Sequence, residues 1–590
     1  MAEQRYEAVI IGSGFGGAIT GCRLAAKWPQ GRVLILERGK RYSLGSFPRA
    51  PHDIARNFWS VADETVERPR HVRKILEKKT DAEQFHGMFD VRNYKHMDVL
   101  IAAGLGGGSL IYANVFLLPP EHVFDERWPK SCKKSELDPY YAVAKKVLGA
   151  RPVPPATTDP RRRIARTQLF QEVAHRIGHD SQLLDLNVFF GNDFNNPLPI
   201  GEQQRNRYGA LQTSCVYCAE CIIGCNYHAK NTLDLNYLYV AEKHHRAEIR
   251  AEHLVDKIVP VDASRKDDAT AGGSHGYRVY FRDLRLPRPE SGSVLASRVV
   301  LSAGSLGSTE LLLRCKEVHR TLPGVSDKLG TCFSGNGDFL SFILGTKDPA
   351  NPNYGPVITQ RTDWNLFQKF DPDRAFLVED ASYPTALAWF IEGAKPGFLR
   401  IRALVQFVRH LIDRVLSGKS LGTFGYALSD ILSDDVSYHT CVLLCMGLDK
   451  ANGVMKLDKN QRITVDWPYK DSLALYHAIL KTGELFRKTV DGEIYFALPT
   501  WDWPIRNNIT VHPLGGCVLA DDSTRGVTSA DRTSFGQVFG YQGLYVADGA
   551  LLPSAVGANP CATISALSEM VAEGITGIPP DDKLGIPGLS

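Results

Sequence analysis

Residues 6–39, YEAVIIGSGFGGAITGCRLAAKWPQGRVLILERG, read as strand, glycine turn, helix and strand, and no other stretch constrains the fold as much. The apolar run Ala8 to Ile11 suits a strand buried on both faces within a parallel sheet. Gly12, Gly14 and Gly17 follow as G-x-G-x-x-G. The first permits the tight turn, the second lets backbone approach a pyrophosphate, and the third allows helix and strand to pack closely. Amides at the start of the helix attract that anion. Glu37 closes the second strand twenty residues after Gly17, where a carboxylate holds ribose hydroxyls. A helix packed tightly on glycines would explain the spacing but not the strand, helix, strand and acid in register. A dinucleotide site is expected here.

A second glycine-rich stretch, GLGGGSLIYANV from Gly104, follows the apolar run Val99 to Ala103. It lacks the helix–strand–acid sequel, and Pro119-Pro120 stops any regular element soon afterwards. Gly104, Gly107, Gly108 and Ser109 are therefore read as backbone lying against the cofactor, with no separate nicotinamide site. The 590 residues suit two to four domains at about 150 residues each. With 69 basic against 65 acidic residues the charge is too balanced for nucleic acid. No apolar run approaches the ~20 residues that span a bilayer. The N-terminus enters a strand almost at once, so no signal peptide is expected. Twelve cysteines in this length do not read as a secreted disulfide framework, and a cytoplasmic chain is expected.

Four of those cysteines, Cys215, Cys218, Cys221 and Cys225, fall within TSCVYCAECIIGCNYHAKN (213–231) as C-x2-C-x2-C-x3-C. The spacing matches the bacterial ferredoxin run, except that Asn226 stands where that run has proline. In two-cluster ferredoxins the fourth cysteine serves the other cluster. One cluster here needs all four local thiols, or a remote cysteine such as Cys332 or Cys517. Zinc is an alternative, since four thiolates make a closed tetrahedral site. A metal-free loop of buried thiols is the third, disulfides being disfavoured in a reducing cytosol. An iron–sulfur cluster would favour a dehydrogenase passing electrons onward over an oxidase using oxygen.

The stretches NNITVHPLGGCVLADD and GYQGLYVADGALLPSAVGANPCATISALSEMVAEGI resemble the C-terminal half of the glucose-methanol-choline (GMC) flavin oxidoreductases. Residues 301–337, LSAGSLGSTELLLRCKEVHRTLPGVSDKLGTCFSGNG, resemble the bacterial cholesterol oxidase branch of that family. The resemblance implies an α/β fold: a Rossmann-like FAD-binding domain (1–340 and 505–590, with the cysteine loop 213–231 inside it) and an inserted α+β substrate-binding domain or cap (341–504). It implies FAD, an apolar alcohol or sterol as substrate, and oxygen or a redox partner as electron acceptor. By position, His512 and Asn559 match the family's histidine–asparagine pair facing the reactive side of the flavin. A histidine suits the hydroxyl proton and an amide suits pinning the hydroxyl or flavin. Asp548 and Gly549, in VADGA, match positions by the ribityl–phosphate region. Glu379, in AFLVEDASYPTALAWF, matches the base that moves a double bond after sterol oxidation; the competing reading is a solvated loop acid beside Asp380. Cys561 departs from the pattern, standing where an aromatic is expected. Two rivals remain: a GMC dehydrogenase for long-chain or terpenoid alcohols, and a non-catalytic flavin electron-relay protein.

Residues 340–500 are rich in aromatic and aliphatic side chains, as a cap over an apolar substrate requires. Within them FLRIRALVQFVRHLIDRVLSG places Leu399, Ile401, Leu404, Val405, Val408, Leu411, Ile412 and Val415 largely on one helical stripe beside four arginines. That stripe either packs on the core or docks on a membrane surface. Residues 263–276, ASRKDDATAGGSHG, read as a polar hairpin excursion.

Overall fold

The computed structural model describes residues 4–59, 86–285, 289–388, 435–498, 501 and 506–589. Its larger sheet runs in the order Glu248–Arg250, Val33–Leu36, Arg5–Ile11, Glu290–Leu301, Tyr277–Asp283, His253–Pro260, with Leu544–Val546 also on Glu290–Leu301. Pairing is parallel through the first four strands and for Leu544–Val546, where Ile10 stands between Ile35 and Val300. Short runs of Val, Ile and Leu, buried on both faces, are what a parallel sheet selects. Tyr277–Asp283 turns antiparallel on both neighbours, and residues 263–276 form the hairpin excursion that leads into it.

Helix Phe15–Lys27 starts at Gly14 and packs against the C-terminal helix Cys561–Thr576. A methyl at Gly16 would stand 1.3 Å from the Ala547 carbonyl oxygen, so only glycine lets the two ends of the chain meet. The buried Glu569 closes the contact, accepting from Arg23 Nε at 2.8 Å and from the Tyr237 hydroxyl at 2.8 Å. Both ends of the sequence thus build one nucleotide body.

The second sheet is antiparallel, in the order Ile494–Ala497, Phe339–Leu344, Thr440–Gly447, Phe376–Ala381, Ile358–Trp364, Ser181–Leu183. Five of its strands fall between residues 339 and 497; the edge strand Ser181–Leu183 comes from outside that span. Helices Ala165–Arg176 and Leu473–Thr489 pack on it around Phe339, Phe376, Trp467 and Tyr476. The amphipathic stretch 399–415 lies outside the described residues.

A three-stranded sheet joins the two bodies. Asn508–Thr510 runs parallel to Met97–Ala102, which pairs antiparallel with Phe89–Tyr94. The first strand leads into His512 and the second into Gly104, so both segments leave the sheet at the same end.

Candidate active site

The three fingerprint glycines do three different things. Gly12 (φ +96°) lies against the end of strand Glu290–Leu301, where a Cβ would meet the Ser302 carbonyl oxygen at 2.3 Å. At Gly17 a Cβ would meet the Gly12 carbonyl oxygen at 2.0 Å. Gly14 differs: a Cβ there would meet nothing within 4 Å. It faces open space at the mouth of helix Phe15–Lys27, whose N-cap has no side-chain partner. Free amides beside an open cradle suit a pyrophosphate.

The second glycine segment closes on the first. A Cβ at Gly107 (φ +52°) would lie 2.6 Å from Gly14 Cα, whereas one at Gly108 would meet nothing. Ser13 ties the segments together, receiving the Gly106 amide at 3.0 Å and donating to Glu37 Oε2 at 2.6 Å. Glu37 is buried and also accepts from the Ser13 and Gly39 amides at 3.0 and 2.8 Å. Its carboxylate therefore braces the cradle as well as standing where a ribose would lie. Ser109 Oγ faces inward, donating to the Gly106 carbonyl and accepting from the Leu233 amide. Gly104 backs onto the Lys40 backbone. Asn114 (φ 72°), at the end of this segment, is wholly buried with both amide atoms unpartnered among the described residues. Such atoms await a ligand.

Asp548 is turned into the protein. It accepts from the Gly304 amide (2.9 Å), Ser308 Oγ (2.5 Å) and the Ala550 amide (2.8 Å), capping helix Gly304–Leu313 and its own turn at Gly549. Burial raises its pKa to about 6, and those hydrogen bonds oppose the rise.

His512 and Asn559 hang from one turn. His512 Nδ1 lies 2.8 Å from Asp338 Oδ1, while Asp338 Oδ2 receives the Val511 amide and Thr510 Oγ1 at 2.9 and 2.8 Å. A carboxylate only accepts, so Nδ1 carries the proton and the lone pair is on Nε2. Two residues earlier, Asn336 donates from Nδ2 to the Ala558 carbonyl at 2.9 Å and accepts from the Val556 and Gly557 amides at 3.0 Å. That arrangement sets the loop bearing Asn559. The turn itself is pinned by Asp449, which accepts from Ser334 Oγ (2.6 Å) and the Gly335 amide (2.9 Å). Asp338 and Asn336 escaped sequence reading. Asn336 lies at the very end of the stretch carrying the family resemblance and Asp338 just beyond it, and the local signal is the Gly-Asn-Gly-Asp turn composition.

Glu379 is no solvated loop acid. It stands inside strand Phe376–Ala381, fully buried, opposite Arg361 on one neighbouring strand and Leu444 on the other. Both carboxyl oxygens lack a hydrogen-bond partner among the described residues, as does Asn559 Oδ1. Burial drives its pKa well above the usual carboxylate range. The Asn559 amide, close by but short of full hydrogen-bond geometry, opposes this, as does Arg361. Cys561, first residue of the C-terminal helix, is buried beside them and donates its thiol to the Val115 carbonyl at 3.0 Å.

Cys215, Cys218, Cys221 and Cys225 line one small cavity with Lys230 and Gly355. Among the described residues, however, no group of three or more His, Cys, Asp or Glu side chains is arranged to hold a metal ion. That arrangement supports neither the iron–sulfur nor the zinc reading of the four cysteines, since either needs its sulfurs gathered around a metal centre. All twelve cysteines are free, and neither Cys332 nor Cys517 is among the residues lining the cavity.

The open cradle, the free amides at the uncapped start of helix Phe15–Lys27 and the unpartnered Asn114 amide fit FAD. Gly12, Gly14, Gly17 and Glu37 would hold its adenosine-diphosphate portion, and Gly107, Gly108, Ser109 and Gly549 would lie along the rest. The comparisons with known proteins agree. Residues 449–568 match the C-terminal family model of GMC oxidoreductases. The chain is 28% identical to a cholesterol oxidase of Acinetobacter baumannii over 96% of its own length and 93% of the relative's. A Mycobacterium tuberculosis cholesterol oxidase is 27% identical over 96% and 90%. In fold it is similar to a fungal aryl-alcohol oxidase (TM-score 0.58, 14% identity, 98% of this chain and 99% of that one). It is likewise similar to the pyridoxine 4-oxidase of Mesorbium loti (0.56, 14%, 96% and 98%).

Fold, cradle and family match define the class: an FAD-dependent oxidoreductase acting on alcohols. Within that class residues 449–568 match the GMC oxidoreductase model, and over most of its length the chain is similar to cholesterol oxidases. Among the described residues no helix is long and apolar enough to cross a membrane.

Proposed function

We propose that the chain oxidises the hydroxyl of a bulky apolar alcohol, a 3-hydroxysteroid above others, to the ketone. Bound FAD supplies the hydride acceptor at N5. His512 takes the hydroxyl proton on Nε2, the nitrogen that its bond to Asp338 leaves free. Asn559 pins the substrate oxygen through its amide, held in place by the Asn336-set loop. Glu379 takes the proton alpha to the new ketone and returns it one double bond away, producing the conjugated enone. We read residues 1–340 with 505–590 as the FAD-binding domain and 341–504 as the cap over the substrate.

The observation that carries the sterol reading is Glu379 itself. A wholly buried carboxyl with no hydrogen-bond partner among the described residues is costly, and such groups are kept where a proton must be moved. Simple alcohol oxidation has no use for it. The acceptor is oxygen by likeness to the oxidases. The test is anaerobic flavin bleaching by a 3β-hydroxy-5-ene steroid against a long-chain and a terpenoid alcohol, with the steroid product assayed for enone absorbance. Bleaching by the steroid with enone formation is the expected result. Bleaching by the linear or terpenoid alcohol alone would move the reading to that substrate class.

A further inference from the structure

Glu379 belongs to a row of side chains that crosses the second sheet. Arg361 stands between Gln182 and Glu379 in the register of three neighbouring antiparallel strands, Ser181–Leu183, Ile358–Trp364 and Phe376–Ala381. Residues directly opposite in such pairs share one face, with Cβ atoms roughly 4.5–5.5 Å apart. The guanidinium and the carboxyl therefore leave the sheet side by side. Arg361 is 6% exposed and is held on its far side. Its Nη2 donates to Gln182 Oε1 at 2.8 Å, and its Cζ lies 3.9 Å from the centre of the Phe367 ring. Its Nε has no hydrogen-bond partner among the described residues, and neither oxygen of Glu379 has one. Two groups of opposite charge thus share one buried row, each with polar atoms left over.

The other titratable groups around Glu379 are committed elsewhere or neutral. Asp380, next on its own strand, accepts from the Thr359 and Gln360 amides at 2.8 Å each and lies 3.6 Å from Arg166 Nε. Asp338, on the turn, is bonded to His512. Cys445, on strand Thr440–Gly447, and Cys561, at the start of the C-terminal helix, are thiols that burial keeps protonated. Arg361 is the cation in this group. Its rival partner is Asp363, two residues along its own strand, whose oxygens already accept from the Leu366, Phe367 and Gln368 amides at 3.1, 2.8 and 2.9 Å. Burial without hydrogen bonds favours a neutral carboxyl, and a nearby cation favours the ionised one. A carboxyl that stays neutral cannot act as a base.

We propose that Arg361 is a positioning residue for the double-bond shift: it keeps Glu379 able to ionise, acting through that carboxyl without touching substrate or flavin. Its role rests on the sterol reading of Glu379. In the transfer, the C–H bond alpha to the ketone breaks and its electron pair enters the dienolate, while the proton forms an O–H bond on Glu379. One negative charge thereby passes from the carboxylate to the dienolate oxygen. The return step breaks that O–H bond and forms a C–H bond one double bond away, restoring the carboxylate. Arg361 offsets the carboxylate at both ends of this cycle.

The test uses the full-length, FAD-loaded protein and two readouts. One is the rate at which a 3-oxo-5-ene steroid, supplied directly so that no flavin reduction is needed, is isomerised across a pH series. The other is infrared titration of the neutral-carboxyl band that Glu379→Gln abolishes, which needs no substrate. Arg361→Gln should move both midpoints to higher pH by about one pH unit or more, and Arg361→Lys should bring them most of the way back. Gln182→Glu, on the exposed edge strand, should move them in the same direction by less, because a carboxylate beside Nη2 competes for the guanidinium. A merely structural Arg361 would lower the plateau rate and leave both midpoints in place, and that result would overturn the proposal. Should Arg361→Gln fail to fold, Gln182→Glu decides, and an unmoved infrared midpoint there overturns it. An infrared midpoint that shifts as expected, in protein whose wild type isomerises no steroid, would sink the sterol reading and leave the pairing of Arg361 with Glu379 standing.

Discussion

Asn336 and Asp338 stand two residues apart in one turn, and each holds a different wall of the site. Asn336 secures the Val556–Ala558 backbone that carries Asn559, and Asp338 secures the His512 ring. With Asp449 clamping the turn from behind, any shift of it moves both walls together. Preorganisation of this kind keeps acid–base groups at reacting distance without reordering in each turnover.

Asp338→Asn should retain FAD while lowering the rate of flavin reduction about 10²-fold. An amide that presents its N–H to Nδ1 forces the proton onto Nε2 and removes the base. Stopped-flow reduction across a pH series checks this. A purely structural role would lower the fraction of folded enzyme without changing the rate constant or its pH profile.

His512→Ala and Asn559→Ala should each cost about 10² or more in the same rate constant, again with FAD bound. Equal wild-type and variant rates of rapid flavin reduction would remove both residues from the chemistry.

Glu379→Gln should leave ketone formation within about threefold and abolish the double-bond shift, since the amide cannot shuttle a proton. It also predicts a stability signature. Burial raises the folded-state pKa of Glu379, so its neutral form is fully tolerated below the unfolded value, and stability is lost as pH rises from there towards the folded value. Melting curves should therefore show the variant gaining on wild type as pH rises above about 4.3. A difference independent of pH would mean that Glu379 is not buried as a neutral acid.

Gly14→Ala and Gly12→Ala should separate cofactor binding from folding. The Gly14 methyl enters space that is empty of protein, so the apoprotein should melt within a few degrees of wild type but purify without yellow colour. The Gly12 methyl meets the Ser302 carbonyl at 2.3 Å with φ at +96°, and soluble protein should be lost. In wild type, acid precipitation should leave the flavin in the supernatant, because the cradle holds it without a covalent bond. A yellow pellet would contradict that.

The local sequence determined whatever depends on chain neighbours. The glycine fingerprint, the buried strand Ala8–Ile11, the polar excursion at 263–276 and the clustering of four thiols follow from periodicity, turn chemistry and spacing over a few tens of residues. His512 and Asn559 were legible through motifs surrounding them. What the sequence left undecided was whether Glu379 is a solvated acid or a buried one, because strand Phe376–Ala381 is covered by partners far along the chain. Asp338 was invisible for the same reason: its partner His512 is 174 residues away. Only the tertiary structure brings a turn, a strand end and a helix start together, and with them the burial that sets each group's charge. The cysteine run shows both limits, since spacing named the four sulfurs, but only packing disclosed that Lys230 lies behind them, its ammonium held by the Leu110, Tyr112 and Cys221 carbonyls.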